Sequence, residues 1–184
     1  SPMLSFTSPM STGLHFLSKI CTKPSMISKK GDDDMANEQC PKCGRDGYHS
    51  PSVTVDAVAV RDGNYGLEVL MIKRGPKPVE WEGMWAFPGG FVDYDEDPED
   101  AVLRELKEET GVEGSNPIAL TILGAPGRDP RKHCVGIFYL VEVDSTAVPI
   151  GADDAVDAAW LPIDNLGVEN VACDHASVVD LLRE

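Results

Sequence analysis

The chain has 184 residues, enough for one domain plus an appendage, since about 130 residues suffice to bury a sizeable core. A net charge of −15 argues against a nucleic-acid-coating protein, because phosphate contacts need a basic face. No apolar run approaches the ~18 residues of a membrane span, and five cysteines without regular spacing define no disulfide framework; the sequence predicts a protein of a reducing, cytoplasmic compartment with no membrane partner.

Residues 1–34 differ from all that follows. Up to Lys30 they hold four lysines, no acid and seven serines, with Leu14, Phe16, Leu17 and Ile20 interspersed. That composition reads as a disordered leader or a transit peptide, and the second reading would place the protein in mitochondria. Gly31-Asp32-Asp33-Asp34 is a linker. In residues 35–51, Cys40-Pro41-Lys42-Cys43-Gly44 sets two thiols around a tight turn, half of a zinc knuckle. His49 offers a third ligand, but a closed structural site needs four, so zinc at Cys40 and Cys43 and a free-thiol turn both stay open.

The core domain spans residues 52–184. Val53, Val55, Ala57 and Ala59 alternate with Thr54, Asp56, Val58 and Val60, which predicts one strand, and Asp62-Gly63-Asn64 predicts a turn. Leu67 to Arg74 reads as a second strand, with Val69 to Ile72 apolar without a break and therefore buried on both faces. After a Gly75-Pro76-Lys77-Pro78 loop, the run from Trp81 to Gly90 ends in paired glycines that let the backbone approach a ligand closely. Trp81, Trp85 and Phe87 are candidates for stacking on a base, with core packing as the plainer role, and Trp85 heads the substrate-binding candidates.

From Gly90 the chain runs through an acidic loop into a helix. Asp97 is a good N-cap, Pro98 suits the first helical position, Glu99 and Asp100 suit the positive end of the dipole, and Gly111 suits a left-handed C-terminal cap. Val102, Leu103 and Leu106 form the face that packs on a sheet. Glu105, Glu108 and Glu109 gather their carboxylates on another surface. Three like charges within a turn and a half repel unless a cation is shared among them, and a divalent metal with oxygen ligands, Mg²⁺ above all, is the natural partner. Arg104, four before Glu108, can hold that carboxylate in place. Taken alone, the same residues also read as a solvated acidic helix face.

Pro117 to Leu123 predicts a strand, and the following loop to Lys132 holds Arg128, Arg131 and Lys132 in an otherwise acidic domain. With Arg74, the two arginines are candidates for holding substrate phosphate, the alternative being a solvated loop. His133 to Asp144 predicts a long strand with Val135, Ile137, Tyr139, Val141 and Val143 on one face. An acidic loop containing Asp153, Asp154 and Asp157 runs into another strand ending near Pro162, and Asp174 caps a closing helix.

Gly90, five residues, Glu96, seven residues, then Arg104-Glu105-Leu106-Lys107-Glu108-Glu109-Thr110-Gly111-Val112 match the Nudix box at each defined position. The chain resembles a Nudix hydrolase from about Ser52 onward. The resemblance implies an α/β (α+β) fold, an α/β/α sandwich with a mixed sheet and the box as loop and helix. It implies a Mg²⁺-dependent enzyme, with Mn²⁺ an acceptable substitute, that hydrolyses a nucleoside diphosphate linked to another group. By the family pattern Glu105 and Glu109 are the principal metal ligands, Glu108 and Glu96 assist, Arg104 orients, and a carbonyl near Gly89 coordinates. Arg128-Asp129-Pro130-Arg131, Asp153 to Trp160, and Asp174-His175 look like the ADP-ribose pyrophosphatase branch. That branch often carries a proline where this chain has Arg128. A Ser-Gln-Pro-Trp segment found after the box in NADH-cleaving relatives is absent. The implied reaction is cleavage of ADP-ribose to AMP and ribose 5-phosphate, with Asp154 as a candidate proton acceptor. Two alternatives are other nucleotides, such as oxidised nucleoside triphosphates or nucleotide sugars, and a non-catalytic ADP-ribose-sensing domain. A small nucleotide is the expected partner, nucleic acid is not, and a homodimer stays open.

Overall fold

The first strand runs only as far as Val58, although the alternation of faces continues past it. The computed structural model describes residues 50–184 apart from 65, 77 and 78, so the leader, Cys40, Cys43 and His49 lie outside the described residues. In it the single strand predicted from Val53 to Val60 is two, β1 (Ser52–Val58) and β2 (Val60–Gly63), in different sheets. Val58 and Ala59 are both fully buried, so neither has a solvent face, and the Ala59 carbonyl accepts from the Leu70 N–H at 2.9 Å. Burial does not mark the crossing, since Val55 to Ala59 are all buried; the change of partner does, from β7 at Val58 to β3 at Val60.

The remaining elements are β3 (Gly66–Arg74), β4 (Trp85–Ala86), β5 (Gly89–Phe91), α1 (Pro98–Thr110), β6 (Gly114–Leu123), β7 (Cys134–Val143), β8 (Ala155–Pro162) and α2 (His175–Leu181). One sheet has the order β5-β1-β7-β6, with β1 and β7 parallel and the other pairs antiparallel. The other is antiparallel around β3, which takes β8 along one edge and β2 and β4 along the opposite one.

Ala101, Val102 and Leu106 of α1 pack on Val55 and Ala57 of β1, Tyr139 and Val141 of β7, and Leu70 of β3. Full burial of a side chain such as Leu106 stabilises the fold by roughly 1.5–3 kcal/mol. Val58, Val69, Met71 and Phe138 turn the other way and pack with Ala176, Val178 and Val179 of α2. Val69 to Ile72 are accordingly buried on both faces, as their unbroken apolar run requires. The result is the expected α/β/α sandwich. Asp174 departs from expectation: its side chain makes no capping bond to α2 and instead pairs with Arg128. Among the described residues no helix is long and apolar enough to cross a membrane.

Candidate active site

The helix α1 is built as its sequence dictates. Asp97 accepts from the Glu99 N–H at 2.9 Å, Pro98 fills the first position, and Gly111 (φ 70°) returns its N–H to the Lys107 carbonyl at 2.8 Å. This fixes the rotation of the helix, so Glu105 and Glu109 face the sheet edge while Glu108 stays more open to solvent.

Arg104 ties the box together. Its Nε and Nη2 grip both oxygens of Glu96 (2.7 and 2.9 Å), Nη1 donates to Glu105 (2.8 Å) and Glu108 (3.0 Å), and Nη2 reaches the Phe91 carbonyl (3.3 Å). Glu96 also accepts from the Asp93 N–H, and these contacts, the Arg104 hydrogen bond first, hold its carboxyl down at about 2. One guanidinium therefore binds Glu96 and the Phe91 carbonyl of the loop to two acids of the helix surface, a wider role than the i,i+4 pairing with Glu108 alone.

The paired glycines bring backbone and carboxylates into contact. A Cβ on Gly89 would lie 2.1 Å from the Val55 carbonyl oxygen, and one on Gly90 would lie 2.4 Å from Glu105 Oε1. The Gly89 N–H donates to Glu109 Oε2 at 2.8 Å. Glu109 is 5% exposed, and burial pushes its carboxyl up to about 8 despite that bond. Burial raises Glu105 as well, with Arg104 opposing the shift.

These residues border a cavity of about 390 Å³. Arg74, Gly89, Arg104, Glu105, Glu108, Glu109, Arg128, Arg131 and Asp154 all line it, as does Asp153, whereas Asp157 does not. Glu96 stands behind Arg104 rather than on the cavity wall. Trp85 is a correction. It lies in β4 beside Ala86, which faces the cavity, so the pleat sends Trp85 away to pack on the α2-side core. Trp81 is the tryptophan that lines the cavity, with the guanidiniums of Arg131 and Arg74 at 5.4 and 5.8 Å from its ring. The loop cations are not free. Arg128 forks onto Asp174 at 2.6 and 2.7 Å, and Arg131 onto Asp129 at 2.7 and 3.0 Å. Arg74 makes no ion pair among the described residues, and its Nε is buried without a hydrogen-bond partner.

Two further residues on the cavity wall were given no site role from the sequence, although His175 falls in the Asp174-His175 match. Asp56, on β1, is buried, and burial pushes its carboxyl up to about 7. His175, first residue of α2, lies with Nε2 3.5 Å from Asp56 Oδ1. A lone charged residue inside a mostly apolar strand was the available clue for Asp56.

Among the described residues no three acidic, histidine or cysteine side chains already converge as a metal cluster, because Glu96, Glu105 and Glu108 converge on the Arg104 guanidinium instead. The donor set nevertheless fits a hard divalent cation. The donors are carboxylate oxygens, Glu105 and Glu109 carry a desolvation penalty that a cation would relieve, and the missing Cβ of Gly90 leaves backbone close against Glu105.

The sequence pattern of the NUDIX domain matches residues 50–182. The ADP-ribose pyrophosphatase of Methanocaldococcus jannaschii is 36% identical over 137 residues, covering 74% of this chain and 76% of that protein. The ADPR responsive transcriptional repressor NtrR of Acinetobacter baylyi is 29% identical over 74% of the chain, which spans only 54% of the repressor's length. Among solved structures, the NUDIX domain of Shewanella oneidensis NrtR complexed with ADP ribose superposes with a TM-score of 0.66 at 30% identity, covering 84% of this chain and 97% of that one. With box, sandwich and sequence pattern in agreement, the chain belongs to the NUDIX family and is a Nudix hydrolase acting on a phosphoric anhydride bond.

Proposed function

We propose that the chain hydrolyses the pyrophosphate of ADP-ribose to AMP and ribose 5-phosphate in the presence of Mg²⁺. The observation that carries this reading is a single cavity with Glu105, Glu108 and Glu109 on its acidic side and, beside Trp81, an Arg74 whose Nε has no hydrogen-bond partner among the described residues. The likeness to an ADP-ribose pyrophosphatase and to an ADP-ribose-bound NUDIX domain supports it.

Glu105 and Glu109 would hold the cation, with Glu108, Glu96 and the Gly89 carbonyl alongside, and Mn²⁺ suits the same oxygen donors. When bound, the metal neutralises phosphate charge and supplies a water of lowered pKa. Arg104 keeps Glu105 and Glu108 aimed from one anchored guanidinium. Arg74 donates from its unpartnered Nε to a phosphate oxygen, where a charged donor matters most as negative charge builds on the breaking bond. Trp81 offers its ring to the base, and Asp154 accepts the proton of the attacking water.

The test is AMP release from ADP-ribose with Mg²⁺, beside the same reaction in EDTA and with Glu109→Gln. Turnover that both controls abolish is the expected result, and no Mg²⁺-dependent AMP from wild-type protein would overturn the reading. Oxidised nucleoside triphosphates and nucleotide sugars run in parallel rank the substrates. The similarity to an ADPR responsive repressor favours one second reading, ADP-ribose sensing without cleavage. Saturable binding with no AMP would establish that instead.

A further inference from the structure

Val55 and Ala57 enter the core beneath α1, so the pleat of β1 turns Thr54 and Asp56 toward the cavity. Asp56 is only 6% exposed, and the one side chain that meets its carboxyl among the described residues is His175, at a long 3.5 Å. One long contact leaves lone pairs of this largely buried acid free, and an acid that borders a cavity in that state marks a place where a ligand supplies a donor. Nothing in the chemistry above uses it.

His175 fixes that carboxylate. The Phe87 N–H donates to His175 Nδ1 at 3.2 Å, the ring stacks on Phe87 (centroids 5.5 Å apart) and Phe138 meets it edge-on (5.2 Å). Because Nδ1 accepts, the ring proton belongs on Nε2, the nitrogen 3.5 Å from Asp56 Oδ1. The strand partner of Asp56 is Gly89, whose absent Cβ would sit 2.9 Å from the same oxygen, so backbone closes that side as well. Arg74 Nε, on the wall of the same cavity, is buried without a partner.

We propose that Asp56 reads a hydroxyl of the sugar that the diphosphate carries, with His175 as its positioning residue. A hydroxyl donates to Asp56 while still accepting from the Thr54 hydroxyl on the same wall. A phosphoryl oxygen can only accept, and the ionised carboxylate offers it no donor. The pair thereby selects a sugar-linked diphosphate over a triphosphate tail. The inference rests on the proposed reaction for its substrate and on Asp56 and His175 for its selectivity.

The test compares ADP-ribose with the β-methyl ester of ADP, which has the anhydride but no sugar on its second phosphate, in wild type, Asp56→Asn, His175→Asn and the double variant. Asparagine at 175 keeps an acceptor near the Nδ1 position for Phe87 and removes the Nε2 arm. Thermal melts check folding, and Asp56→Asn alone carries the comparison if His175→Asn unfolds. The expected result is an about tenfold fall in the kcat/KM preference for ADP-ribose in each variant, with the double variant no worse than either. A preference unchanged in Asp56→Asn, or both substrates losing kcat/KM by one common factor, overturns the inference. If wild type hydrolyses neither compound, the proposed reaction fails on its own. ADP-ribose binding by calorimetry then decides the pair: about tenfold weaker binding in Asp56→Asn supports it and equal binding overturns it. In ligand-free wild type, ¹⁵N imidazole shifts should show His175 neutral with its proton on Nε2; a proton on Nδ1 would overturn the positioning role.

Discussion

Gly89 and Gly90 are neighbours, and an alanine at each should do different damage. At Gly90 the new Cβ would lie 2.4–2.6 Å from three carboxyl atoms of Glu105, the far end of a flexible side chain. Glu105 must withdraw by about 1 Å to restore ordinary contact, against an Arg104 hydrogen bond of 2.8 Å that holds it. Overpacking of this kind costs about 1–3 kcal/mol, and a partly open site puts Gly90→Ala near the lower end. Misplacing a reacting group's support by about 1 Å can cost roughly 100-fold in rate, so activity should fall far more than stability. At Gly89 the Cβ would meet the Val55 carbonyl oxygen at 2.1 Å and Asp56 Cα at 2.8 Å, which are backbone atoms of the paired strand. Relief there means parting β1 from β5, at about 3 kcal/mol or more. Urea unfolding and Mg²⁺-dependent kcat/KM, measured on both variants, separate the two. Gly90→Ala retaining kcat/KM within threefold of wild type, or the two variants losing equal stability, would refute the reasoning.

Trp81→Ala should raise KM by about 3- to 10-fold with little loss of stability, because its ring lines the cavity. Trp85→Ala should cost about 3 kcal/mol in a urea melt, because that ring packs on the core. Asp129 accepts from the Arg131 side chain and backbone, and the side-chain bond is the main reason its carboxyl lies below the usual value of 3.8. A depressed folded pKa means the unfolded chain binds the proton more readily, so this contribution is full above pH 3.8 and fades as pH falls through the depressed value. Asp129→Asn should therefore cost about 1–2 kcal/mol at pH 7, and its difference from wild type should shrink between pH 4 and pH 2. A difference that stays constant over that range would contradict the pairing.

What the sequence disclosed was local or periodic. The caps of α1 need only Asp97, Pro98 and Gly111 and the backbone within a turn of them, and the box gathers its acids by helical spacing. The Val69–Ile72 run declared its double burial because no alternation was left to misread. What stayed hidden depends on partners distant in the chain. Arg128 is taken by Asp174, 46 residues on, and Phe87 by His175, 88 residues on; neither pairing has a local pattern. Trp81 and Trp85 could not be ranked because the choice rests on the parity of a two-residue strand. The break at Ala59 was missed because small and branched apolar residues continue through it.

The charge on this cavity leads to an order of events. Asp56, Glu105, Glu108, Glu109, Asp153 and Asp154 line it, and of its four arginines Arg104, Arg128 and Arg131 already hold carboxylates at 2.6–3.0 Å. Arg74 alone is left to meet a diphosphate, in a chain whose net charge is −15. Each like-charged pair at about 4 Å costs roughly 1 kcal/mol in water and about 4 at the effective dielectric of a protein surface, so one arginine cannot offset several acids. Nucleotide should therefore bind much more tightly with a divalent cation than without one. Calorimetry with Glu109 intact should find ADP-ribose affinity at least tenfold weaker in EDTA than in Mg²⁺, a difference of about 1.4 kcal/mol or more. Raising monovalent salt in EDTA should recover part of that loss by screening the acids. Equal affinity with and without the cation would mean that the arginines leave Asp174 and Asp129 to take the phosphates, and that the acidic wall is not where the diphosphate lies.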